Sequence, residues 1–308
     1  MTRRQRTEMC EQLASVEGRT LFQEAVRRFR KNKLAMAGLT ILVLLIIISF
    51  TTIIVDLVTS GSFYEAEIVK MNLINKLKAP SGESYRGWFG YDEFGRSMLF
   101  RMIWGTRYSL FISICAISIA TCIGGILGSI AGYYGGKVDN IIMRVMDVFL
   151  AIPYMLLAIA IMAALGQRIF NLLISIAIPE IPGFPRIVRA SVMSVKDREY
   201  VESAKAAGAN DLRIITKYII PNAIAPVIVQ ATLSTANAIL SIAALSYIGL
   251  GIVPPTPEWG AMLTSAKTYI RDAWHITIVP GLGIMLATLS INVFGDGLRD
   301  ALDPKLKN

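Results

Sequence analysis

Apolar residues occur along this chain in six long runs, each bounded by polar or charged residues. The runs cover residues 34–57, 110–130, 148–165, 169–185, 224–252 and 276–293. About 20 apolar residues are enough to cross the hydrocarbon core of a bilayer as a helix, so each run predicts a transmembrane helix. The runs do not alternate between apolar and polar positions, which excludes a transmembrane β-barrel.

The surroundings of two runs refine this prediction. The third and fourth runs are separated only by residues 166–168, which predicts a tight helical hairpin. The first run follows 33 other residues and is longer than the apolar part of a secretory signal, so it predicts a permanent span. The expected fold class is an all-α integral membrane protein with six transmembrane helices.

Lys and Arg predict the orientation, because basic loops stay on the cytoplasmic side of a membrane. About two thirds of the 31 basic residues lie in segments on the same side as the N-terminus, so both termini are expected in the cytoplasm. The predicted regions are a cytoplasmic N-terminus (1–33), a first transmembrane helix (34–57), a long extracytoplasmic loop (58–109), a five-helix core (110–293) with a cytoplasmic loop (186–223), and a cytoplasmic tail (294–308).

Residues 20–33 combine apolar positions at helical spacing with five basic residues between 27 and 33. This pattern is typical of an amphipathic helix that lies on the anionic lipids of the inner leaflet. An unstructured basic flank is the alternative.

Four glycines recur at every fourth position in and after the second run: Gly124, Gly128, Gly132 and Gly136. Such a stripe lets the backbones of two membrane helices approach closely. We therefore expect it to serve helix packing and not chemistry.

The composition agrees with a membrane location and limits the chemistry of the chain. Hydrophobic residues make up 54% of the chain and charged residues 17%, with a net charge of +9, whereas a soluble domain has about 25% charged residues. Three Cys and one His are too few for a Cys/His zinc site, and Ala131 and Val138 break the phosphate-loop pattern around Lys137. We expect no catalytic residue, metal or cofactor on this chain, and the positive charge needs no nucleic acid to explain it.

Glu180 is unusual because it is one of two carboxylates in the predicted spans, the other being Asp56 near an outer end. It lies among three prolines that predict a bent or broken helix. Two interpretations remain open. The side chain lines a substrate path, or it is close enough to the cytoplasmic surface to be hydrated.

Residues 186–222 form the longest predicted cytoplasmic segment after the N-terminus, and this segment is patterned. Residues 199–207 favour a helix, Gly208 interrupts it, and Asp211 leads a second short helix that Pro221 is expected to end. The prediction is a helix-turn-helix elbow in the cytoplasm, with a surface of small side chains on its first helix that another protein can approach closely.

Within this elbow, Glu202-Ser203-Ala204, Gly208 and Pro221 resemble the E-A-A, G, I-x-L-P signature of bacterial ABC-transporter permease subunits. Ser203 replaces the usual middle Ala, and the I-x-L part matches only loosely. In that family the loop is the coupling element that inserts into a groove on the ATP-hydrolysing subunit. The residues that the resemblance assigns to this coupling site are Glu202, Ser203, Ala204, Gly208, Asp211 and Pro221.

Four further strings resemble the second permease subunit of oligopeptide and dipeptide importers. They are residues 29–36, 88–96, 254–262 and 295–304, so the resemblance extends over nearly the whole chain from Phe29 onward. It implies a type I ABC importer permease fold and a non-catalytic subunit in the cytoplasmic (inner) membrane of a bacterium or archaeon. The implied partners are a homologous second permease, two ABC ATPase subunits that hold ATP and Mg, an extracytoplasmic substrate-binding protein, and membrane lipids.

The function that this resemblance implies is ATP-driven import of oligopeptides or dipeptides by alternating access. Related permeases import nickel chelates or oligosaccharides, which is the alternative within the family. An autonomous ion-coupled secondary transporter is the alternative from another class. Against it stand the scarcity of intramembrane carboxylates and the absence of an inverted repeat in the sequence.

On the outer side, the resemblance assigns Trp88, Asp92, Glu93, Arg96 and Trp259 to the gate and the binding-protein face. The residues themselves allow another interpretation. Asp92, Glu93 and Arg96 can hold a capped structural elbow, and the prolines before Trp259 favour a rigid scaffold.

Overall fold

The computed structural model describes residues 21–302, and this part of the chain is almost entirely helical. Among the described residues, the isolated bridge between Tyr91 and Ser97 is the only β-type pairing. Expectations for residues 1–20 and 303–308, including the last two residues of the string 295–304, lie outside the described residues. The all-α class is confirmed.

Eleven α-helices of eight or more residues follow one another between residues 21 and 302. They are α1 (Leu21–Lys31), α2 (Lys33–Val58), α3 (Met98–Tyr134), α4 (Gly136–Leu150), α5 (Tyr154–Leu165), α6 (Ile169–Glu180), α7 (Gly183–Val195), α8 (Glu199–Ala206), α9 (Ala225–Leu245), α10 (Trp259–Ala266) and α11 (His275–Leu302). Short helical pieces at Ser62–Tyr64, Glu65–Val69, Leu73–Asn75 and Tyr85–Gly87 shape the loop between α2 and α3.

Four of these helices are long and apolar enough to cross a membrane: α2, α3, α9 with its continuation to Leu250, and α11. Helices α4 and α5 qualify as a fifth crossing only as a pair, because the chain bends by 81° between them. The predicted fourth span falls on α6, which has 12 residues and is followed by a break at 181–182 and then α7. The count of six spans and the cytoplasmic position of the termini stay predictions.

Prolines account for both breaks, because a proline removes a backbone donor and clashes with the preceding turn. Pro153 directly precedes α5, and Pro182 directly precedes α7. The predicted hairpin between the third and fourth runs is confirmed, with Gly166 turning the chain at a φ of +83°.

Two helices extend beyond the apolar runs that predicted them. Helix α3 begins at Met98, so the last 12 residues of the predicted loop 58–109 are helical. Two arginines on this extension each pair with a carboxylate, Arg101 with Asp92 and Arg107 with Asp56. Helix α11 likewise continues to Leu302, within the predicted tail 294–308.

The glycine stripe lies where α3 packs against α7. A Cβ on Gly124 would lie 2.4 Å from the Cβ of Phe184, and one on Gly128 would lie 2.7 Å from the backbone oxygen of Pro185. Gly132 is equally close to α7. The packing prediction is therefore confirmed for these three glycines. It is wrong for Gly136, which has nothing within 4 Å and begins α4 with a φ of +54°.

Helix α3 contributes to two hydrophobic cores. The first joins α3 to α5, α6, α7, α9 and the elbow, and the second joins it to α2, α9, α10 and α11. The predicted amphipathic segment is helical, as α1. Its Phe29 packs edge-to-face on Phe294 of α11, with ring centroids 5.5 Å apart, so part of its apolar face is covered by the protein itself.

Candidate functional site

The elbow between α7 and α9 has the predicted helix-turn-helix form. Helix α8 is followed by a second helical segment made of three pieces, Asp211–Arg213, Ile214–Ile219 and Ile220–Ala223. Pro221 does not end this segment as expected. It lies in the first turn of the third piece, where a missing N–H is tolerated.

Gly208 makes the turn of the elbow. Its φ is +82°, the left-handed region that side chains disfavour. The N–H of Gly208 donates to the Lys205 carbonyl at 2.9 Å, and the N–H of Ala209 donates to the Ala204 carbonyl at 3.1 Å. This pair of bonds is a Schellman motif, which ends α8 at a defined angle. The Asn210 side chain then caps the second segment by accepting from the Arg213 N–H at 2.9 Å.

Apolar side chains fix the elbow to the membrane bundle. Val201, Ile214 and Ile219 are at most 1% exposed and belong to the core that contains α3 and α7. Ala204 is also buried, at 7% exposure. The expected surface of small side chains therefore lacks Ala204, which faces inward.

The outward face of the elbow carries Glu202, Ser203 and Gly208, all exposed. Two larger apolar side chains are exposed beside them: Tyr200 at 41% and Leu212 at 71%. The sequence analysis did not single these out. An apolar residue at the tip of a polar loop is the signal that could have found Leu212.

Asp211 ties the elbow to the end of α3. Its carboxylate accepts hydrogen bonds from the hydroxyls of Tyr133 at 2.7 Å and Tyr134 at 3.1 Å. Lys205 lies over the Tyr133 ring, 5.6 Å from the centroid. A displacement of the elbow would therefore be transmitted directly to α3 through these contacts.

On the opposite end of α3, Asp92 is the centre of a buried ionic cluster. Its carboxylate accepts from the Arg96 side chain at 2.7 Å and lies 3.3 Å from Nε of Arg101. Glu93 lies 3.8 Å from Arg96 at the edge of the cluster. Asp92, Arg96 and Arg101 are 3%, 3% and 4% exposed. These side chains hold the loop together and do not present a surface to a partner.

Arg101, which the sequence analysis missed, joins three parts of the outer region. It also donates to the backbone oxygens of Ile68 at 3.3 Å and Pro255 at 3.1 Å. Close by, burial raises the pKa of Tyr64 to about 12, so this hydroxyl stays neutral.

Trp259 is also internal. It is 1% exposed, and its indole N–H donates to the Met102 carbonyl at 3.1 Å. The preceding Glu258 caps α10 by accepting from two backbone N–H groups at 2.8 Å. Trp259 is therefore enclosed by the protein, and its role at the outer gate stays a prediction.

Trp88 differs from the other outer candidates because it is 59% exposed. Tyr85 and Phe89 are exposed beside it in sequence, at 54% and 42%. His275 is 1% exposed, and its Nε2 lies 3.0 Å from the Tyr91 carbonyl oxygen. The aromatic residues around Trp88 are therefore one exposed apolar part of this loop, and Met71, Leu73 and Ile74 are another, at 55%, 67% and 84% exposure.

Glu180 ends α6 at the break before α7. Its side chain is partly buried, and among residues 21–302 it forms no ion pair. Its position on the translocation path stays a prediction.

A bundle of membrane-length helices, with an elbow fixed to its longest helix, is the architecture of a membrane transport permease. Sequence comparison makes this specific. The chain belongs to the family of binding-protein-dependent transport system inner membrane components, whose family model matches residues 124–308. Residues 20–80 match the N-terminal transmembrane domain of oligopeptide transport permease C. The chain is therefore a multi-pass inner-membrane protein and a transport component, as the resemblance implied.

Curated relatives and solved structures agree with this assignment. The dipeptide transport system permease protein DppC of Alkalihalophilus pseudofirmus is 46% identical, covering 93% of this chain and 91% of the relative. The glutathione transport system permease protein GsiD of Pectobacterium atrosepticum is 40% identical, covering 94% and 93%. An inward-facing structure of the MetNI methionine ABC transporter matches with a TM-score of 0.55 at 16% identity, covering 67% of this chain and 98% of that one. The ABC importer permease fold is thus confirmed.

Proposed function

We propose that this chain is one of two permeases in an ATP-driven importer of dipeptides or short oligopeptides. The observation that carries this proposal is the elbow, whose exposed face is rigidly joined to α3 through Asp211 and to the core through Val201 and Ile214. The names of the two relatives describe transport of dipeptides and of glutathione, which supports a peptide as the substrate.

The exposed surfaces of the chain indicate where each partner binds. The elbow face around Ser203 and Leu212 is the surface for one of two ABC ATPase subunits, which bind ATP and Mg. The exposed aromatic residues around Trp88 face the extracytoplasmic binding protein. The homologous second permease completes the translocation path, and lipid covers the remaining apolar surface.

In this mechanism the chemistry takes place in the partner ATPases, and the permease converts their movement into alternating access. Closure of the ATPases displaces the elbow. The elbow moves α3 and α7, which pack on each other without intervening side chains at Gly124 and Gly128. The helices then shift as rigid bodies between inward-open and outward-open arrangements.

Gly208→Val tests this role of the elbow. Nothing lies within 4 Å of a Cβ at this position, so the variant acts through the backbone and not through a clash. A β-branched residue in the left-handed region costs about 1–2 kcal/mol or more, and we expect the elbow to leave its docking geometry. ATP-dependent dipeptide uptake should be lost while the chain still inserts into the membrane.

Gly208→Asn is the matched control, because Asn tolerates a positive φ. It should retain most of the uptake and still copurify with the ATPase. Normal uptake by the Val variant would contradict the coupling role. Uptake driven by an ion gradient in the chain alone would favour a secondary transporter instead.

A further inference from the structure

One exposed apolar patch of the outer loop has no role in the proposed function. Met71, Leu73 and Ile74 form this patch, on and just before the short helical piece Leu73–Asn75, and all three are exposed. A contiguous apolar patch on a protein surface usually marks a contact with another protein or with a membrane. The surroundings of the patch indicate which of the two covers it.

The fold holds this patch outside the protein core. The N–H of Asn72, within the patch, donates to the Phe94 carbonyl at 3.0 Å. The N–H of Leu77 donates to the Asp92 carbonyl at 3.1 Å, and the Leu77 side chain packs on the second hydrophobic core. The backbone of the segment is thus fixed to the loop of the buried ionic cluster, while the side chains of the patch remain exposed.

Lysines surround the patch, and three of them are exposed: Lys70, Lys76 and Lys78. Residues 70–78 include no acidic residue, and Glu67 just before them is paired with Arg86. Within the described part of the chain, none of the three lysines forms an ion pair. Apolar side chains among lysines that lack a counter-charge suit a bilayer with anionic lipids, which offers acyl chains and negative headgroups together.

A second exposed apolar segment lies beside the patch, at the start of α11. The Lys76 ammonium is 5.7 Å from the ring centroid of Tyr269, and close to Tyr269 in sequence Ile270 and Trp274 are exposed. Exposed apolar side chains then continue along α11 at Ile278, Leu282, Met285 and Leu289. Such a row is typical of the side of a membrane helix that contacts lipid, and tryptophan is enriched where such a helix enters the bilayer.

The level of the patch relative to the bilayer follows first from α11. A Cβ on Gly90 would lie 2.6 Å from Cδ2 of His275 and 2.8 Å from the Lys78 carbonyl oxygen. Lys78 and His275 therefore lie side by side. Because His275 directly precedes the apolar run 276–293, this level is at the outer edge of the hydrocarbon core.

Helix α2 gives a second measure of the level. The Gly90 carbonyl also accepts from the Met98 N–H at 3.0 Å, so Met98 lies at the same level. Trp104, six residues later in α3, donates to Asp56 at 3.0 Å, near the outer end of the apolar run 34–57. Six residues of helix extend about 9 Å, so α2 places the level about that far outside the core. The two values bracket the headgroup layer, which is about 5–8 Å thick on each side of a bilayer.

We propose that residues 70–78 bind the headgroup layer of the outer leaflet. The apolar patch inserts toward the acyl chains, and the three lysines bind the phosphates of anionic phospholipids. The segment thereby anchors the loop of the Asp92 cluster to the membrane, next to the point where α11 enters it. This role is separate from peptide transport and holds for any transported substrate.

The test measures the contact with lipid on the complete importer in lipid nanodiscs. In a complex whose accessible cysteines are replaced, Ile74→Cys carries a nitrobenzoxadiazole label, which brominated phospholipids quench if it reaches the acyl chains. We expect this label to lose most of its fluorescence in brominated discs that contain phosphatidylglycerol. Leu73→Cys provides a second position with the same expectation. Glu83→Cys, exposed in a polar stretch of the same loop, is the control and should keep its fluorescence.

The lysines are tested by removing their charge. The combined variant Lys70→Gln, Lys76→Gln and Lys78→Gln should lower the quenching in phosphatidylglycerol discs to the level found with phosphatidylcholine alone. Lys→Arg at the same three positions keeps the charge and should retain the quenching. The amount of assembled complex and its ATP hydrolysis should match wild type in each variant, because the substituted side chains are exposed.

Three results would overturn the proposal. The first is equal quenching of the labels at positions 74 and 83, or none at position 74. The second is a label at position 74 that responds only to added substrate-binding protein, which would assign the patch to a protein partner. The third is quenching that does not depend on phosphatidylglycerol, which would refute the binding of anionic headgroups by the lysines.

Discussion

Asp92 shows how much of the outer region depends on one side chain. Besides Arg96 and Arg101, its carboxylate accepts from the backbone N–H groups of Phe94 at 2.9 Å and Arg96 at 2.8 Å. Such a fully bonded carboxylate can remain charged inside a protein. The loop before α3 is therefore held in one conformation without a large apolar core of its own.

Asp92→Asn should destabilise the protein strongly, because it removes the nearest counter-charge of the buried guanidinium groups of Arg96 and Arg101 and leaves only Glu93, 3.8 Å from Arg96. Breaking a buried ion pair on one side costs about 3–5 kcal/mol. Thermal unfolding of the purified complex, followed by tryptophan fluorescence, should show a clearly lower midpoint.

Glu67→Gln is the matched control. It removes the counter-charge of Arg86, whose side chain is 50% exposed, and an exposed pair contributes only about 0–1 kcal/mol. Its unfolding midpoint should stay near wild type. Equal midpoints for the Asp92 and Glu67 variants would refute the buried cluster as the support of this loop.

At the scale of elements, the contact between α3 and α7 illustrates the use of glycine in membrane helices. Inside lipid the hydrophobic effect does not drive two helices together, because their apolar surfaces are already out of water. Close backbone contact and dispersion attraction must hold them together instead. Gly124, Gly128 and Gly132 remove the side chains that would keep α7 away.

Gly128→Ala is expected to disturb this contact, because the new methyl group would lie 2.7 Å from the Pro185 carbonyl oxygen and from the Cβ of Val188. Overpacking of this kind costs about 1–3 kcal/mol. The variant should accumulate to a lower level in the membrane and lose activity on mild heating.

Gly125→Ala provides the comparison, since nothing lies within 4 Å of a Cβ at that neighbouring position. It should behave as wild type, or be slightly more stable because Ala has the higher helix propensity. A Gly128 variant as stable as the Gly125 variant would show that α3 and α7 do not pack this closely in the membrane.

For the whole molecule, α3 connects the two sides. Its 37 residues extend about 55 Å at the usual helical rise, which exceeds the thickness of the hydrocarbon core. One end meets Asp92 and Trp259, and the other meets Asp211. A continuous helix with anchors at both ends can carry a displacement of the elbow to the outer scaffold.

The orientation of the whole chain can be measured by cysteine labelling. In a variant that lacks Cys10, Cys115 and Cys122, we expect Trp88→Cys to react with a membrane-impermeant maleimide. The reaction is measured on spheroplasts, which lack the cell wall but keep an intact inner membrane. Asp197→Cys, at an exposed position before the elbow, should react only after permeabilisation. The positive-inside distribution of Lys and Arg is the physical reason. The reverse pattern of labelling would contradict the assigned orientation.

The sequence by itself determined the class of the protein and the position of its elbow. Long apolar runs have few alternatives to membrane helices, because backbone hydrogen bonds must be satisfied inside lipid. Gly208 and the proline before α7 act locally, through φ and the missing N–H, so the turn of the elbow and the break before α7 could be predicted. The bend before α5 was not predicted, because residues 148–165 were interpreted as one span.

The tertiary structure decided what the local pattern left open. Asp92, Arg96 and Arg101 form a buried cluster only because α3 extends beyond its apolar run. The inward position of Ala204 depends on helices that are distant in the chain. Burial and pairing are set by residues far apart in the chain, whose packing no local periodicity records.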